Sequence, residues 1–354
     1  MEMSPSENRQ FLDRNHCLIL RGLAIFFIIF HNFFHFYTFV PENEFGFDAD
    51  NLSRFLMHFK TESPLFIIGD VFSFLGWLGV SVFVFLSGYG LVRKYEKSGS
   101  ALVVRDYLWH SWKKLILLML PGVLLFVLMN IGNSEFILRS FFSLTLLSNI
   151  TSVYTDPGVY WYFGLTFELY LLYILFYKNR SWKLLAGLLV LAITAQLLVL
   201  ISQNSDVLYW FMHNLTGWML DFILGIMVAR SGKLNWQTLS VWKLLAIAVV
   251  AGGLFVVCNS SKYLWLFIHL FAIIFFVALS LIILRTRYLK KCFMYLGSLS
   301  AFLFVMHPVA RNIVVSLFST DYALWIRILT YLTCTFVGVY LFKYLYYRHI
   351  SKYL

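Results

Sequence analysis

The apolar residues of this chain fall in long, nearly uninterrupted blocks, and the short polar stretches between them carry most of the charge. A helix needs roughly 20 apolar residues to cross the hydrocarbon of a bilayer, where every backbone polar group must be satisfied within the segment. Ten blocks meet that need: 17–40, 66–92, 115–132, 159–177, 182–202, 215–230, 241–257, 263–284, 293–316 and 321–345. The sixth is short and the second long, which predicts tilt or mismatch there. The segment 136–150 is apolar but short and carries Arg139, and it reads as an interfacial or re-entrant piece. No repeat, low-complexity tract or linker divides the chain. The pattern predicts an all-α integral membrane protein, a bundle of about ten transmembrane helices forming one domain over 1–354, with an N-terminal tail 1–16, an outer loop 41–65 and a C-terminal tail 346–354.

Composition agrees. The chain is 60% hydrophobic and 13% charged, against about 25% charged residues in a soluble domain. A net charge of +11 first suggests nucleic acid or anionic lipid. The basic residues, however, sit in clusters between apolar blocks rather than on one stripe. With the N-terminus inside, 21 of the 28 Lys and Arg fall in cytoplasmic pieces, four (Arg54, Lys60, Arg139, Lys262) in outer ones and three (Arg21, Arg311, Arg327) within blocks. That is the positive-inside bias, it places both termini in the cytoplasm, and losing one span would scramble it. The charge therefore reports topology in a lipid bilayer and excludes a nucleic-acid partner. Cys17, Cys258, Cys292 and Cys334 form no CxxC pair or metal spacing and read as small hydrophobes. The polar opening MEMSPSENRQFLDRNH has no apolar core followed by a cleavage site, so the first block is expected to remain as an anchor.

Polar groups inside a membrane are costly, about 2.5–3.5 kcal/mol for a charge at the helix centre on insertion scales, so they are paired or functional. They are Arg21, His31, Asn32, His35, Asp70, Glu168, Asp221, His269, His307, Arg311 and Arg327. Any one of them alone is adequately explained as glue between helices. The first block is different, because it carries an Arg, two His and an Asn. His31 lies about 15 Å along the helix from Arg21, shares a face with His35, and Asn32 shares the face of Arg21. Imidazole can move protons near neutral pH and guanidinium suits phosphate or carboxylate. Stacked on one helix, they suit an acyl thioester on a phosphate-bearing arm; a proton relay in a transporter is the other reading. Pro308 between His307 and Arg311 reads as a kink, and the glycines of GWLGVSVFVFLSGYG (76–90) as close helix contacts.

Several motifs together resemble the acyltransferase-3 family of membrane-bound O-acyltransferases, over most of the chain. The first block resembles the family's basic-residue-to-histidine signature, GVSVFVFLSGYGL (79–91) its second-helix motif centred on Ser87-Gly88, and KKLILLMLP (113–121) the basic stretch leading into the third helix. YWYFGLTFELYLLY (160–173) resembles the aromatic fourth-helix motif, DFILGIMVAR (221–230) a further element, and SAFLFVMHPVAR (300–311) the late helix whose His precedes Pro. Two departures stand out. The family usually has ten residues between the basic residue and the His, whereas nine separate Arg21 from His31 and Asn32 takes the usual position. Use of His31, a local bulge, or use of His35 would each accommodate this. Where relatives place an acidic pair, this chain has Thr166-Phe167, with Glu168 one residue on.

The resemblance implies transfer of an acyl group, commonly acetyl from acetyl-CoA, to a hydroxyl of a surface or lipid-linked glycan, with donor entering from the cytoplasm and acceptor outside, in the inner (cytoplasmic) membrane. On that expectation His31 is the base, and Asn32 or His35 orients it or stabilises the oxyanion. Arg21 holds donor phosphates with Lys94, Lys113 and Lys114, beside Ser87 and Gly88; topology by itself accounts for the lysines more readily. Trp161, Tyr162, Glu168, Asp221, His307 and Arg311 are acceptor-binding or supporting residues, with Asp221 and Glu168 pairing with Arg311, Arg327 or a His. No metal is expected, and a homo-oligomer is left open. The rival is a transporter or flippase with an intramembrane His/Arg relay, against which the lack of a repeat weighs. A polymerase or scaffold would want larger outer loops than the acidic 41–65, which reads as a lid, an acceptor rim or a plain solvated loop.

Overall fold

The computed structural model describes residues 11–37, 39–97, 101–150, 158–232, 236–318 and 322–353. Arg9 and Lys233 of the charge pattern, most of the N-terminal tail and the first residue of the tenth block lie outside them. The described residues form helices and no strand: α1 (Arg14–Phe34), α2 (Ala49–Thr61), α3 (Pro64–Leu75), α4 (Gly79–Val92), α5 (Val104–Met129), α6 (Ser134–Ser143), α7 (Trp161–Lys178), α8 (Trp182–Ser202), α9 (Ser205–Met212), α10 (Leu215–Ser231), α11 (Val241–Cys258), α12 (Lys262–Trp265), α13 (Ile268–Leu284), α14 (Arg287–Leu317) and α15 (Leu324–Leu345). Nine segments among them are long and apolar enough to cross a membrane, with α3–α4 and α9–α10 each counted as one. The remaining expected block, the eighth (263–284), contains the 17-residue α13, apolar but shorter. The protein is thus a multi-pass membrane protein.

The helix ends follow local chemistry. Asp13 caps α1, its carboxylate accepting the His16 amide at 2.9 Å while the His16 ring meets the Asp13 amide. Pro64 opens α3, where a missing N–H costs nothing. Gly232 ends α10 at φ +59°, the left-handed turn that glycine adopts without penalty.

The centre of the bundle is α1, packed against α14 with the two helices running the same way. A Cβ on Gly22 would meet the Phe293 carbonyl, and one on Gly297 the Leu18 carbonyl, so both glycines permit backbone-to-backbone approach. Gly88 and Gly225 do the same for α4 and α10 against Phe222 and Phe85. α15 returns beside them: the Tyr331 hydroxyl donates to the Ile29 carbonyl at 2.8 Å, and Phe302 packs on Phe342 and Tyr346. The start of α1 and the end of α15 therefore share one end of the bundle, called here the terminal end.

The long second block is not one tilted rod. It breaks at Gly76–Leu78 into α3 and α4, joined by a 3₁₀ turn. The break sits where the chain crosses α1: a Cβ on Gly76 would lie 2.6 Å from the His31 Cβ, and one on Gly79 would strike the Ala24 carbonyl. Ending α3 there leaves its last carbonyls without intrahelical partners.

Candidate active site

One of those carbonyls belongs to Ser73, and His31 takes it. The His31 Nδ1 lies 2.9 Å from the Ser73 oxygen and 3.3 Å from that of Phe72. A carbonyl only accepts, so Nδ1 carries the proton and Nε2 keeps its lone pair. His31 is buried and borders a cavity of about 190 Å³ near the end of α1, away from the terminal end. Asn32, His35, Glu42, Glu44, Trp161, Tyr162 and Arg311 border it too.

Arg311 reaches the cavity from α14. Its Nη1 donates to the Asn32 Oδ1 at 3.2 Å, and its guanidinium lies 3.7 Å from the centre of the Phe36 ring. One N–H of the Asn32 amide donates to the Ile28 carbonyl at 3.1 Å, which leaves the other N–H, while its oxygen steadies Arg311. His35 pairs with Glu42, and its ring centre is 5.7 Å from that of His31.

The chain that follows α1 turns inward. The Val40 amide donates to Asp70 Oδ1 at 2.8 Å, and the Ser73 hydroxyl to the Val40 carbonyl at 2.7 Å. Asn43 is tied to Asn259 at 3.0 Å and Asn51 at 2.9 Å, and Trp265 donates to its carbonyl at 2.8 Å. These anchors press Glu42 and Glu44 into the cavity, and Phe45 stacks on His213 with centres 3.9 Å apart. The first residues of 41–65 therefore pack against the helices and border the cavity. Burial alone would push the Glu42 carboxyl up, but the His35 hydrogen bond and the neighbouring imidazoles outweigh it and hold the carboxyl below its ordinary range. Glu44 goes the other way: burial, then the Glu42 charge, push it well above the usual carboxylate range. Sequence reading gave neither glutamate a role. The available signal was their alternation with Asn43 just before the aromatic Phe45 and Phe47.

A second cavity of about 200 Å³ lies nearer the terminal end, bordered by Arg21, Ser87, Lys114, Tyr162, Thr166, Tyr170 and Phe304. Tyr162 and Phe304 border both cavities, with ring centres 5.1 Å apart. They form an aromatic septum between the Arg21 chamber and the His31 chamber. On the other side of the His31 chamber, a wider cleft of about 640 Å³ meets it at Glu42, Phe45 and Tyr209.

Other predicted residues lie apart. Gly88 faces α10, not the Arg21 chamber. The Lys94 ammonium lies over the Tyr95 ring, and neither it nor Lys113 borders either chamber. Asp221 pairs with His269 at 3.0 Å, one of the expected partner types, and the Ser81 hydroxyl joins the same ring nitrogen at 2.9 Å. Glu168 instead accepts the Leu215 amide at 2.8 Å at the start of α10, where an acidic group favours the helix dipole. His307 is fully buried, its Nδ1 on the Leu303 carbonyl at 2.9 Å; the carbonyl that Pro308 leaves without its helical donor is the next one, Phe304.

A family model described as an acyltransferase domain matches residues 12–346, nearly the whole chain. No curated protein and no solved structure matches it.

Proposed function

The chain belongs to the acyltransferase-3 family, and from that premise we propose that it moves an acetyl group from acetyl-CoA to a hydroxyl of a surface or lipid-linked glycan. The observation that carries the proposal is the fixed tautomer of His31, with Nε2 free beside a cavity and Arg21 bordering a second cavity on the same helix. In this reading the terminal end faces the cytosol of the inner membrane, and the donor's phosphates rest near Arg21 and Lys114. The thioester passes the Tyr162–Phe304 septum into the His31 chamber, and the acceptor sugar arrives from the wider cleft.

His31 Nε2 takes the proton of the sugar hydroxyl as its oxygen attacks the thioester carbonyl carbon. Arg311, held by Asn32, offers a cation where negative charge gathers on the carbonyl oxygen. As the carbon–sulfur bond breaks, the imidazolium returns its proton to the departing CoA sulfur, leaving an ester and free CoASH. The Ser73 carbonyl keeps the ring in position through both transfers, and the His35–Glu42 pair balances the charge next to it. Membership in an acyltransferase family favours this over the transporter reading.

The test uses the full chain purified in detergent, with radiolabelled acetyl-CoA and a panel of envelope glycans. Label transferred to glycan by the wild type and not by His31→Ala supports the reading. Transport of label across liposomes without ester formation rejects it.

A further inference from the structure

We propose that His31, Glu42 and Glu44 form a binding site for a divalent cation of the zinc class, reached from the wide cleft away from the terminal end. One ring nitrogen of His31 and one carboxylate oxygen from each glutamate lie within 4.8 Å of one another. Bringing three such atoms to the ~2.0–2.2 Å of zinc–nitrogen and zinc–oxygen bonds takes side-chain rotation, not backbone movement.

Three further observations point to a ligand there. Glu44 is 7% exposed, borders the cavity, and its carboxylate has no hydrogen-bond partner among the described residues. A buried carboxyl without a partner calls for a proton or a cation. His31 gives Nδ1–H to the Ser73 carbonyl, the arrangement by which metal-bound imidazoles are held in the tautomer that leaves Nε2 for the metal. His35 pairs with Glu42 and so orients that carboxylate from behind. Arg311 borders the same cavity, but its Nη1 is turned to Asn32.

One imidazole and two carboxylates suit zinc-like ions, while magnesium prefers an all-oxygen octahedron and keeps its waters. The wide cleft supplies the open side where water completes the coordination. A cation on Nε2 takes the lone pair that a general base needs. Occupancy therefore holds acyl transfer off, a consequence that rests on the function proposed above, whereas binding itself does not.

The experiment titrates ZnCl₂ into EDTA-stripped, detergent-purified full chain by calorimetry, with MgCl₂ as control and zinc content measured after dialysis. The expected result is one zinc per chain, no magnesium heat, and affinity lowered at least about tenfold in Glu44→Gln and in His35→Ala. Thermal unfolding of the zinc-free variants checks that each is folded. A wild type that retains no zinc overturns the site, as do variants that bind like the wild type. Acyl transfer unaffected by saturating zinc overturns the block. Zinc binding by a chain that transfers no acyl group sinks the function proposed above and leaves the site standing.

Discussion

His31 donates its Nδ1 proton to the main-chain carbonyl of Ser73 at 2.9 Å, across the gap where the second spanning segment breaks. The carbonyl is free because α3 ends, and α3 ends where Gly76 lets the chain pass within contact of α1. A helix break and a glycine thus set which nitrogen of the imidazole can act as a base.

The first consequence is that Gly76→Ala lowers acyl transfer without removing any reacting group. Its methyl would lie 2.6 Å from the His31 Cβ, so the ring or the turn must shift. A loss of at least about tenfold in kcat is expected, alongside the ~10²–10⁴-fold loss for His31→Ala that removal of a general base typically causes. Steady-state kinetics on both variants, with insertion checked by membrane fractionation, measures this. Wild-type kcat in Gly76→Ala would mean the turn does not position His31.

Arg21→Ala and Lys114→Ala separate donor binding from chemistry. Both residues border the chamber nearer the terminal end. Loss of one phosphate contact should raise KM for acetyl-CoA about tenfold, equivalent to about 1.4 kcal/mol, with the acceptor KM unchanged. Initial rates against each substrate in turn distinguish the two effects.

Phe304→Ala removes half of the septum shared by the two cavities. The merged space should accept a longer acyl chain, and the butyryl-CoA to acetyl-CoA ratio of kcat/KM should rise by ten-fold or more, since each added methylene is worth about 1–3 kcal/mol in a pocket. Competition between the two thioesters measures the ratio, and an unchanged ratio would assign the septum no part in acyl selection.

Gly297→Ala should loosen the α1–α14 contact, because a Cβ there strikes the Leu18 carbonyl. Overpacking of this kind costs about 1–3 kcal/mol, visible as a lower midpoint of thermal unfolding in detergent. Gly187→Ala on α8 is the comparison: nothing lies within 4 Å of its added Cβ, and exchanging helical Gly for Ala gains up to about 1 kcal/mol.

Asp13→Ala removes the α1 cap at a cost of about 1 kcal/mol near neutral pH. The His16 hydrogen bond holds the Asp13 carboxyl down at about 2. Its contribution is complete above the ordinary carboxylate range, near 4, and fades as pH falls toward 2. Unfolding midpoints of wild type and variant should therefore differ at pH 7, and the gap should narrow steadily between pH 4 and pH 2. A gap independent of pH would mean the cap acts through something other than its charge.

The sequence announced the membrane and the axis of the site because both are local properties. Apolar blocks of spanning length, and an Arg, two His and an Asn within one block, can be read without knowing any neighbour. The break at Gly76–Leu78 was missed because neither Asp70 nor the serines interrupt a block of spanning length, and only its crossing of α1 ends the helix. Glu168 was expected beside a cation or a His and instead meets a helix start supplied 47 residues later.

What the chain determined by itself was a rod that stacks Arg21 and His31 some 15 Å apart, since helical rise and hydrophobic length follow from sequence alone. Tertiary structure decided the rest. Asp70 and Ser73 on α3, Asn259 at the end of α11 and Trp265 on α12 fold the loop so that Glu42 and Glu44 meet His31, and Tyr162 and Phe304 meet across α7 and α14 to part the two chambers. Those contacts join residues from 30 to 222 positions apart, and no periodicity within a single block encodes them.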